Sequence, residues 1–215
     1  MTSREAPGAV WVVSAPSGGG KTSLCKALVE RLSRRGIVAR LSVSCTTRAP
    51  RPGEVDGTDY HFVGEARFSA MVAANAFVEH AGVFGRHYGT PRAPLEQALA
   101  AGEVLLLDID WQGGRQIRSQ YPDAGGVFVL PPSIAVLRQR LRGRLGSTTE
   151  LIASRMQAAR EEMSHYLEYP FVLVNDNFET ALSQFEALVS AERLRRPAQQ
   201  LRYAALLREL LEANG

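Results

Sequence analysis

The sequence predicts an α/β fold in which a central parallel sheet lies between two layers of helices. Short apolar segments that suit buried strands alternate with segments of helical periodicity, which is typical of parallel sheets covered on both faces. The first apolar segment runs into the glycine-rich stretch SAPSGGGKTS, and a later one ends in LLLDID. Because ligands of such sheets bind beyond the carboxyl ends of the strands, both stretches are expected to face one crevice.

The N-terminal half contains two predicted strands and one predicted helix. AVWVVSA (9–15) is a continuous apolar run, typical of a strand buried on both faces. The segment 21–35 has helical periodicity and ends before Gly36, and 37–44 predicts a second strand. The segment 45–90 is instead rich in glycine, proline, arginine and aromatic residues. It predicts an inserted subdomain, because plain connections are usually shorter.

The C-terminal half continues the alternation of strands and helices. Glycine ends the first of its helices, and Ser133 caps the second. The apolar face of the last helix could pack on its own core, which is the favoured choice, or on a second copy of the chain. The predicted strands are 103–110, 125–132 and 171–176, and the predicted helices are 94–102, 133–144, 148–167, 178–193 and 198–213.

Composition and charge restrict the class of protein. The 215 residues are 45% hydrophobic and 22% charged, as in ordinary globular proteins, and the formal net charge of +3 is too small for a nucleic-acid partner to be expected. No apolar run reaches the roughly 20 residues that cross a bilayer, and the first ten residues lack the apolar core of a signal peptide. Cys25 and Cys45 lack metal-binding spacing and are expected to be free thiols. We therefore expect a cytoplasmic protein without a membrane partner.

The glycine-rich stretch is a candidate phosphate-binding loop. APSGGGKT (15–22) matches the pattern G-x-x-x-x-G-K-[ST] except that Ala15 replaces the first glycine, so the backbone there must tolerate a Cβ. Glycines let successive N–H groups turn toward an anion, and the following helix adds its positive end. Lys21 would reach the outer phosphates, and the Thr22 hydroxyl would contact Mg²⁺. The alternative, a flexible turn with an incidental lysine, is disfavoured by the strand–loop–helix context.

Two carboxylates follow the strand 103–110. Asp108 or Asp110 could hold Mg²⁺, directly or through water. Either residue could equally cap the helix that comes next. The sequence leaves this choice open, but it predicts that a nucleoside triphosphate binds.

The inserted segment carries candidate residues for a second, phosphorylated substrate. Arg48, Arg51 and Tyr60 offer two guanidinium groups and a phenol that suit a phosphate monoester, although a solvated basic loop has the same composition. Glu79 stands in an apolar stretch. With a hydroxyl such as Thr90 or Ser44 it would match guanine, which presents two adjacent N–H donors, whereas adenine would leave the carboxylate unpaired.

Taken together, SAPSGGGKTS, SCTTRAPRPGEVDGTDYHF, VEHAGVFGRHYGT, LLLDIDWQGG and FVLVNDNF resemble guanylate kinases, which phosphorylate GMP with ATP. The resemblance extends from about residue 9 to residue 191. It implies a P-loop nucleoside triphosphate hydrolase-like fold with a guanylate kinase-like domain at 9–195, a C-terminal helix at 196–215, and Mg²⁺ and ATP beside GMP or dGMP. Within that domain it implies a GMP-binding subdomain at 45–90 and a mobile lid at 140–156.

The resemblance also assigns roles to individual residues. Arg140 and Arg144 would belong to the lid, Arg155 would reach the phosphates from the following helix, and Asn175 would lie near the adenine. The implied catalytic residues are Lys21, Arg48, Arg140, Arg144 and Arg155. The implied ATP-binding residues are Ala15, Pro16, Ser17, Gly18, Gly19, Gly20, Lys21, Thr22, Ser23 and Asn175. The implied substrate-binding residues are Ser44, Arg48, Arg51, Tyr60, Glu79, Tyr88, Thr90, Asp108 and Asp110, and the implied metal-binding residues are Thr22 and Asp108.

The implied reaction needs no strong general base. The second pKa of a phosphate monoester is about 6, so the attacking oxygen of GMP is mostly ionised at neutral pH. Catalysis would consist of positioning and charge neutralisation. Three alternatives remain at this point: a kinase of a sugar phosphate, a non-catalytic module of the same fold that binds phosphopeptides, and a P-loop ATPase that acts on nucleic acid.

Overall fold

A computed structural model describes residues 8–145 and 149–212. The strands are β1 (Ala9–Ser14), β2 (Ala39–Leu41), β3 (Cys45–Thr46), β4 (His61–Phe62), β5 (Phe77–Val83), β6 (Arg86–Pro91), β7 (Val104–Asp108), β8 (Gly125–Leu130) and β9 (Phe171–Val174). The α-helices are α1 (Lys21–Arg34), α2 (Glu65–Ala73), α3 (Arg92–Ala100), α4 (Trp111–Gln120), α5 (Ile134–Leu145), α6 (Thr149–Ser164), α7 (Phe178–Glu192), α8 (Arg196–Arg202) and α9 (Ala204–Glu212), and a 3₁₀ turn spans His165–Glu168.

The central sheet is parallel throughout and has the strand order β2-β7-β1-β8-β9. Successive side chains of β1 point to opposite faces, as the pleat of a strand requires. Trp11 and Val13 pack with α1 and α7 in one apolar cluster, whereas Val10 and Val12 pack with α3 and α4 in another. The first strand is therefore buried on both faces, and the three-layer architecture predicted from the sequence is confirmed.

The segment between β2 and α3 forms the predicted insertion. It contains a second, mixed sheet of order β4-β3-β6-β5, with its own small core of Cys45, Phe68 and Phe77. Strands β5 and β6 form a hairpin whose two turn residues, Phe84 and Gly85, have φ values of 50° and 70°. Positive φ at both positions is the type I′ geometry that matches the twist of a tight hairpin.

The structure differs from the sequence-based expectation at three elements. Strand β2 is shorter than predicted because the chain leaves the central sheet after Ser42, whose N–H still donates to the Leu106 carbonyl, and enters the second sheet at Cys45. Helix α4 was not predicted in detail, since Gly113 and Gly114 interrupt its pattern. The single C-terminal helix predicted near 198–213 is two helices, α8 and α9, separated at Tyr203.

Helix α9 leaves most of its apolar face exposed. Leu206, Leu210 and Leu211 are 42%, 62% and 78% exposed. The favoured expectation that this stripe packs on the protein's own core is therefore wrong for these side chains. Residues 213–215, at the end of the predicted C-terminal helix, lie outside the described residues. Among the helices of the described ranges, none has the length and apolar character needed to span a bilayer.

A charged cluster joins α4 to the 3₁₀ turn that follows α6. The Glu168 carboxylate accepts hydrogen bonds from Arg115 at 2.6 and 2.7 Å, from Arg118 at 3.3 Å, and lies 2.7 Å from His165 Nδ1. Trp111 stacks on the His165 ring at 3.6 Å between centroids, and the Arg115 guanidinium lies 4.6 Å from the centre of the Trp111 ring. The hydrogen bond from Arg115 is the main cause that lowers the pKa of Glu168 to about 2.

We expect Glu168→Gln to destabilise the protein by about 1–2 kcal/mol at pH 7, since solvent screening reduces the value of a partly exposed ion pair. The folded-state pKa of Glu168, about 2, lies below the ordinary value of 4.5, so its stabilising contribution is complete above pH 4.5 and is lost as the pH falls toward 2. Urea unfolding of the variant and the wild type at pH 7 and pH 3 measures this difference. The exposed Glu161→Gln variant is the control. An equal difference at both pH values would contradict the prediction.

Candidate active site

The segment between β1 and α1 has the geometry of an anion-binding loop. Gly18 and Gly20 have φ values of 86° and 90°, which side chains with a Cβ rarely adopt, and the Gly19 N–H donates to the Pro16 carbonyl at 2.8 Å. Ala15 is not among the described residues with positive φ, so its Cβ is tolerated as the sequence analysis requires. The loop ends at Gly20, which directly precedes the first turn of α1 and its unpaired N–H groups.

Asp108 connects the loop to the neighbouring strand. Its Oδ1 lies 2.7 Å from Lys21 Nζ, and its Oδ2 accepts a hydrogen bond of 2.5 Å from Thr22 Oγ1. The Lys21 ammonium also donates to the Ile109 carbonyl at 2.7 Å. Burial opposes the charged form of Lys21, but the charge of Asp108 and its hydrogen bond outweigh burial and raise the pKa of Lys21. Lys21 is therefore a fixed cation at neutral pH.

Asp110 makes different contacts. They show that it caps a helix, which is one of the roles that the sequence left open. Its Oδ1 accepts the Gly113 N–H at 2.9 Å, and its Oδ2 accepts from Gln112 Nε2 at 2.9 Å. Asp110 is therefore the N-cap of α4, and it also lines the cavity described below. Of the two aspartates, Asp108 is the one that contacts both Lys21 and Thr22.

Asn175, a predicted ATP-binding residue, contacts the loop and is joined to Arg140, a predicted lid residue. The buried Asn175 donates from Nδ2 to the Gly19 carbonyl at 3.1 Å, so in this structure its amide holds the loop backbone. Arg140 Nη2 donates to the Asn175 carbonyl at 3.1 Å, while its buried Nη1 has no hydrogen-bond partner among the described residues. The side chain of Arg144 lies outside the described residues, as do residues 146–148 of the predicted lid. The exposed Ser23 follows Thr22 in the first turn of α1.

One cavity of about 360 Å³ lies between the loop and the second sheet. This volume is within the usual range for small-molecule sites. The cavity brings together most of the residues that the sequence analysis assigned to the site. The predicted site residues that line it are Ala15, Ser17, Lys21, Ser44, Arg48, Arg51, Tyr60, Glu79, Tyr88, Asp108, Asp110 and Arg155.

Cations and phenols gather at the edge of this cavity formed by the second sheet. Arg48 lies 5.4 Å from the centre of the Tyr60 ring, and Tyr60 packs edge-on against Tyr88 at 6.0 Å. Glu54, which the sequence analysis did not select, organises the arginines. Its carboxylate accepts from Arg48 Nη2 at 2.8 Å and from the Arg51 N–H at 2.7 Å. Glu54 therefore fixes the turn that presents both side chains.

A buried carboxylate lies in the same cavity. Glu79 is only 3% exposed, and its Oε1 accepts a hydrogen bond of 2.5 Å from the fully buried Thr90 hydroxyl. Burial is the main cause that raises the pKa of Glu79 to about 7, and the nearby Asp110 adds to it. Ser44, also buried, lines the same cavity. The arrangement presents a carboxylate, held by Thr90, and the Ser44 hydroxyl to a planar group with adjacent N–H donors.

The second carboxylate that sequence reasoning missed is Glu162 on α6. Its Oε2 accepts the N–H of Ser17, a phosphate-loop residue 145 positions earlier in the chain, at 2.9 Å. Arg155, on the same helix, lies with its guanidinium 3.8 Å from the centre of the Phe84 ring. Its position in the cavity lining and its hydrogen bond with Ser17 distinguish Glu162 from its exposed neighbour Glu161. A sequence pattern alone does not reveal that difference.

The geometry agrees with comparisons to known proteins. The guanylate kinase family model matches residues 8–192. Guanylate kinases of Salmonella typhimurium and Escherichia coli K12 are 51% and 50% identical to the chain over 206 residues, covering 96% of it and 99% of each relative. The crystal structure of guanylate kinase from Anaplasma phagocytophilum superimposes with a TM-score of 0.77 at 33% identity, covering 98% of this chain and 96% of that one.

Gly113 explains part of the WQGG sequence, because a Cβ at this position would collide with Glu79 Oε2. We expect Gly113→Ala to displace the carboxylate and to raise the KM for GMP by about tenfold or more, while the KM for ATP stays within about twofold. Gly82→Ala is the matched control, because a Cβ there meets open space. Steady-state kinetics with each substrate varied in turn tests this, and an unchanged KM for GMP in G113A would contradict it.

Proposed function

The chain belongs to the guanylate kinase family of ATP:GMP phosphotransferases, and we propose how its residues divide the work of that transfer. One observation supports the proposal best: a single cavity is lined by Lys21 and Asp108 and also by Arg48 and Glu79. The first pair suits the phosphates of ATP, and the second suits GMP. One cavity that reaches both pairs supports binding of donor and acceptor next to each other, which is the main requirement for transfer between two bound nucleotides.

The phosphate loop and Lys21 bind the ATP phosphates. The N–H groups of Gly18, Gly20 and the first turn of α1 surround the anion, and the Lys21 ammonium neutralises its outer oxygens. Thr22 and Asp108 would hold a Mg²⁺ ion, since a hydroxyl and a carboxylate, the oxygen ligands that Mg²⁺ prefers, lie side by side next to the loop. Such an ion would neutralise part of the phosphate charge. Among the described residues no three His, Cys, Asp or Glu side chains form a metal-binding group, which suits an ion held largely by substrate.

The second sheet binds the acceptor nucleotide. Arg48, Arg51, Tyr60 and Tyr88 bind the GMP phosphate, with the guanidinium groups making charge-assisted hydrogen bonds. At the base, the Glu79 carboxylate accepts the guanine N1–H and 2-amino protons. Thr90 and Ser44 supply the hydroxyls expected from the sequence. Glu79 is charged when it binds these donors, which lowers its pKa from the value near 7 that burial imposes.

Transfer itself depends on positioning and charge neutralisation. The GMP oxygen is already ionised, so no side chain has to remove a proton before attack. Lys21 and Arg155 both line the cavity and would contact the transferred group, and Arg140 and Arg144 would add charge from the proposed lid. Closure of that lid would exclude water and limit hydrolysis of ATP.

The alternative acceptors fit the cavity less well. A sugar phosphate has no adjacent pair of N–H donors, so the buried Glu79 would lose its partners at a cost of about 1–3 kcal/mol. A non-catalytic scaffold would have no use for the Asp108 contacts with Lys21 and Thr22. The proposal places the protein in the cytoplasm, which free, buried thiols at Cys25 and Cys45 support. It also allows a homo-oligomer through the exposed face of α9, and names ATP and GMP, not nucleic acid, as partners.

The chain has two lysines, Lys21 and Lys26, which provide a matched pair of variants. We expect Lys21→Ala to lower kcat by about a thousandfold, because a buried cation at the transferred phosphates is lost. The exposed Lys26→Ala variant should retain wild-type kcat and the same thermal unfolding. A coupled assay of ADP formation with GMP measures both. Near-normal turnover by a folded Lys21→Ala enzyme would refute the role of the loop.

We expect Glu79→Gln to reduce discrimination between GMP and AMP by about a hundredfold, because the amide can no longer accept two hydrogen bonds at once. The measurement is kcat/KM for GMP, dGMP, AMP and UMP with ATP at saturation. Glu65→Gln, an exposed position on the same subdomain, is the control. Unchanged discrimination in the Glu79 variant would show that guanine is recognised by other groups.

A further inference from the structure

Two side chains of helix α6, at positions seven residues apart, line the cavity and contact other elements of the protein. Arg155 lies over Phe84 of the second sheet, and Glu162 accepts the Ser17 N–H of the phosphate loop. Seven residues are two helical turns, or about 10 Å along the axis, and bring both side chains to one face. The helix thus spans the distance between the acceptor subdomain and the donor loop.

The other faces of α6 have little freedom. Met156 and Ala159 are buried against Leu137 and Leu141 of α5, and these four residues form a core separate from that of the central sheet. This packing fixes α6 to α5, and Leu137 and Leu141 of α5 also lie close to Gly18 of the phosphate loop. Among the described residues, the hydrogen bond between the Ser17 N–H and Glu162 joins α6 directly to the phosphate loop.

Glu162 is unusual for a helix glutamate. It lines the cavity, and burial raises its pKa although the Ser17 N–H and the charges of Lys21 and Arg155 oppose this effect. Placing a carboxylate near the phosphate-binding groups has an electrostatic cost, because it repels the anion that the site must hold. Glu161, one residue earlier, is exposed to solvent and lies outside the cavity lining. We therefore expect the Glu162 carboxylate to make a contribution that compensates for this electrostatic repulsion.

We propose that Glu162 is a positioning residue for phosphoryl transfer. By accepting the Ser17 N–H, it holds α6 at a fixed distance from the phosphate loop, and so determines where Arg155 enters the cavity. Glu162 does not touch the transferred group. It acts through Arg155, and the inference rests on the proposed role of Arg155 at the phosphates.

The hydrogen bond between the Ser17 N–H and Glu162 also affects how the loop binds phosphate. Because this N–H and that of Gly19 already have partners, the donors left for phosphate are those of Gly18, Gly20 and the first turn of α1. A carboxylate that accepts one N–H of the loop also restrains its backbone. The geometry of the remaining donors then depends on α6 as well as on β1 and α1.

The test is a double-mutant cycle between positions 162 and 155. We expect Glu162→Ala to lower kcat by about 10- to 100-fold with the KM for GMP within about threefold, because a misplaced cation weakens the transition state more than acceptor binding. Arg155→Ala should lower kcat by at least as much. The double variant should be within about threefold of Arg155→Ala, because Glu162 acts only through that arginine.

Two further variants separate positioning from a general structural role. Glu162→Gln retains an acceptor oxygen for the Ser17 N–H, so we expect kcat within about fivefold of wild type. Glu161→Ala, the matched control on the same helix, should be indistinguishable from wild type. Should Glu162→Ala not fold, Glu162→Asp withdraws the carboxylate by one methylene and should still lower kcat by about tenfold or more.

The outcomes distinguish the inference from the proposed function. Wild-type kcat in Glu162→Ala beside an impaired Arg155→Ala would overturn the inference alone. Multiplicative losses in the double variant would also overturn it, because they would mean that Glu162 does not act through Arg155. A loss in Glu162→Gln equal to that in Glu162→Ala would overturn the hydrogen-bond explanation. Wild-type kcat in Arg155→Ala would instead contradict the proposed role of Arg155.

Discussion

The contact of Asp108 with Lys21 and Thr22 is the interaction on which the donor site depends. It exists because β7 pairs in parallel with β1, with Val13 opposite Asp108, so that the carboxylate reaches the loop that follows β1. Parallel pairing brings the carboxyl ends of both strands to one edge, and the polar groups are placed there by topology. The rest of the site is arranged around this fixed edge.

The alternation of segments was enough to predict the central sheet, because buried parallel strands are apolar on both faces and leave a clear signal. Short, mixed strands such as β3 and β4 leave no such signal, and their pairing depends on contacts distant in sequence. Helix α4 was missed in detail because its glycines, which helices normally avoid, are required here by the close approach of Glu79 and of Tyr169. Its N-cap, Asp110, was one of two alternatives that the sequence could not separate.

As with the fold, the sequence predicted one part of the candidate site and missed another. Residues that belong to local patterns, such as Lys21, Arg48 and Glu79, line the cavity as expected. Glu54 and Glu162 were missed for a physical reason: a glutamate in a polar segment has the same appearance whether it is solvated or holds a distant N–H. Only the folded chain shows that Ser17 and Glu162, 145 positions apart, share a hydrogen bond.

The proposed acceptor and donor sites have one feature in common, since carboxylates already pair with the cations that we propose bind phosphate. Asp108 contacts Lys21, and Glu54 contacts Arg48. A phosphate that arrives therefore competes with an internal anion, so substrate capture is an exchange of counter-charges and not a simple addition of opposite ones. The same competition favours departure once the products have formed, because each cation has a partner to which it can return. An enzyme that releases two polyanions in every cycle turns over faster when it binds them less tightly than its cations would without these carboxylates.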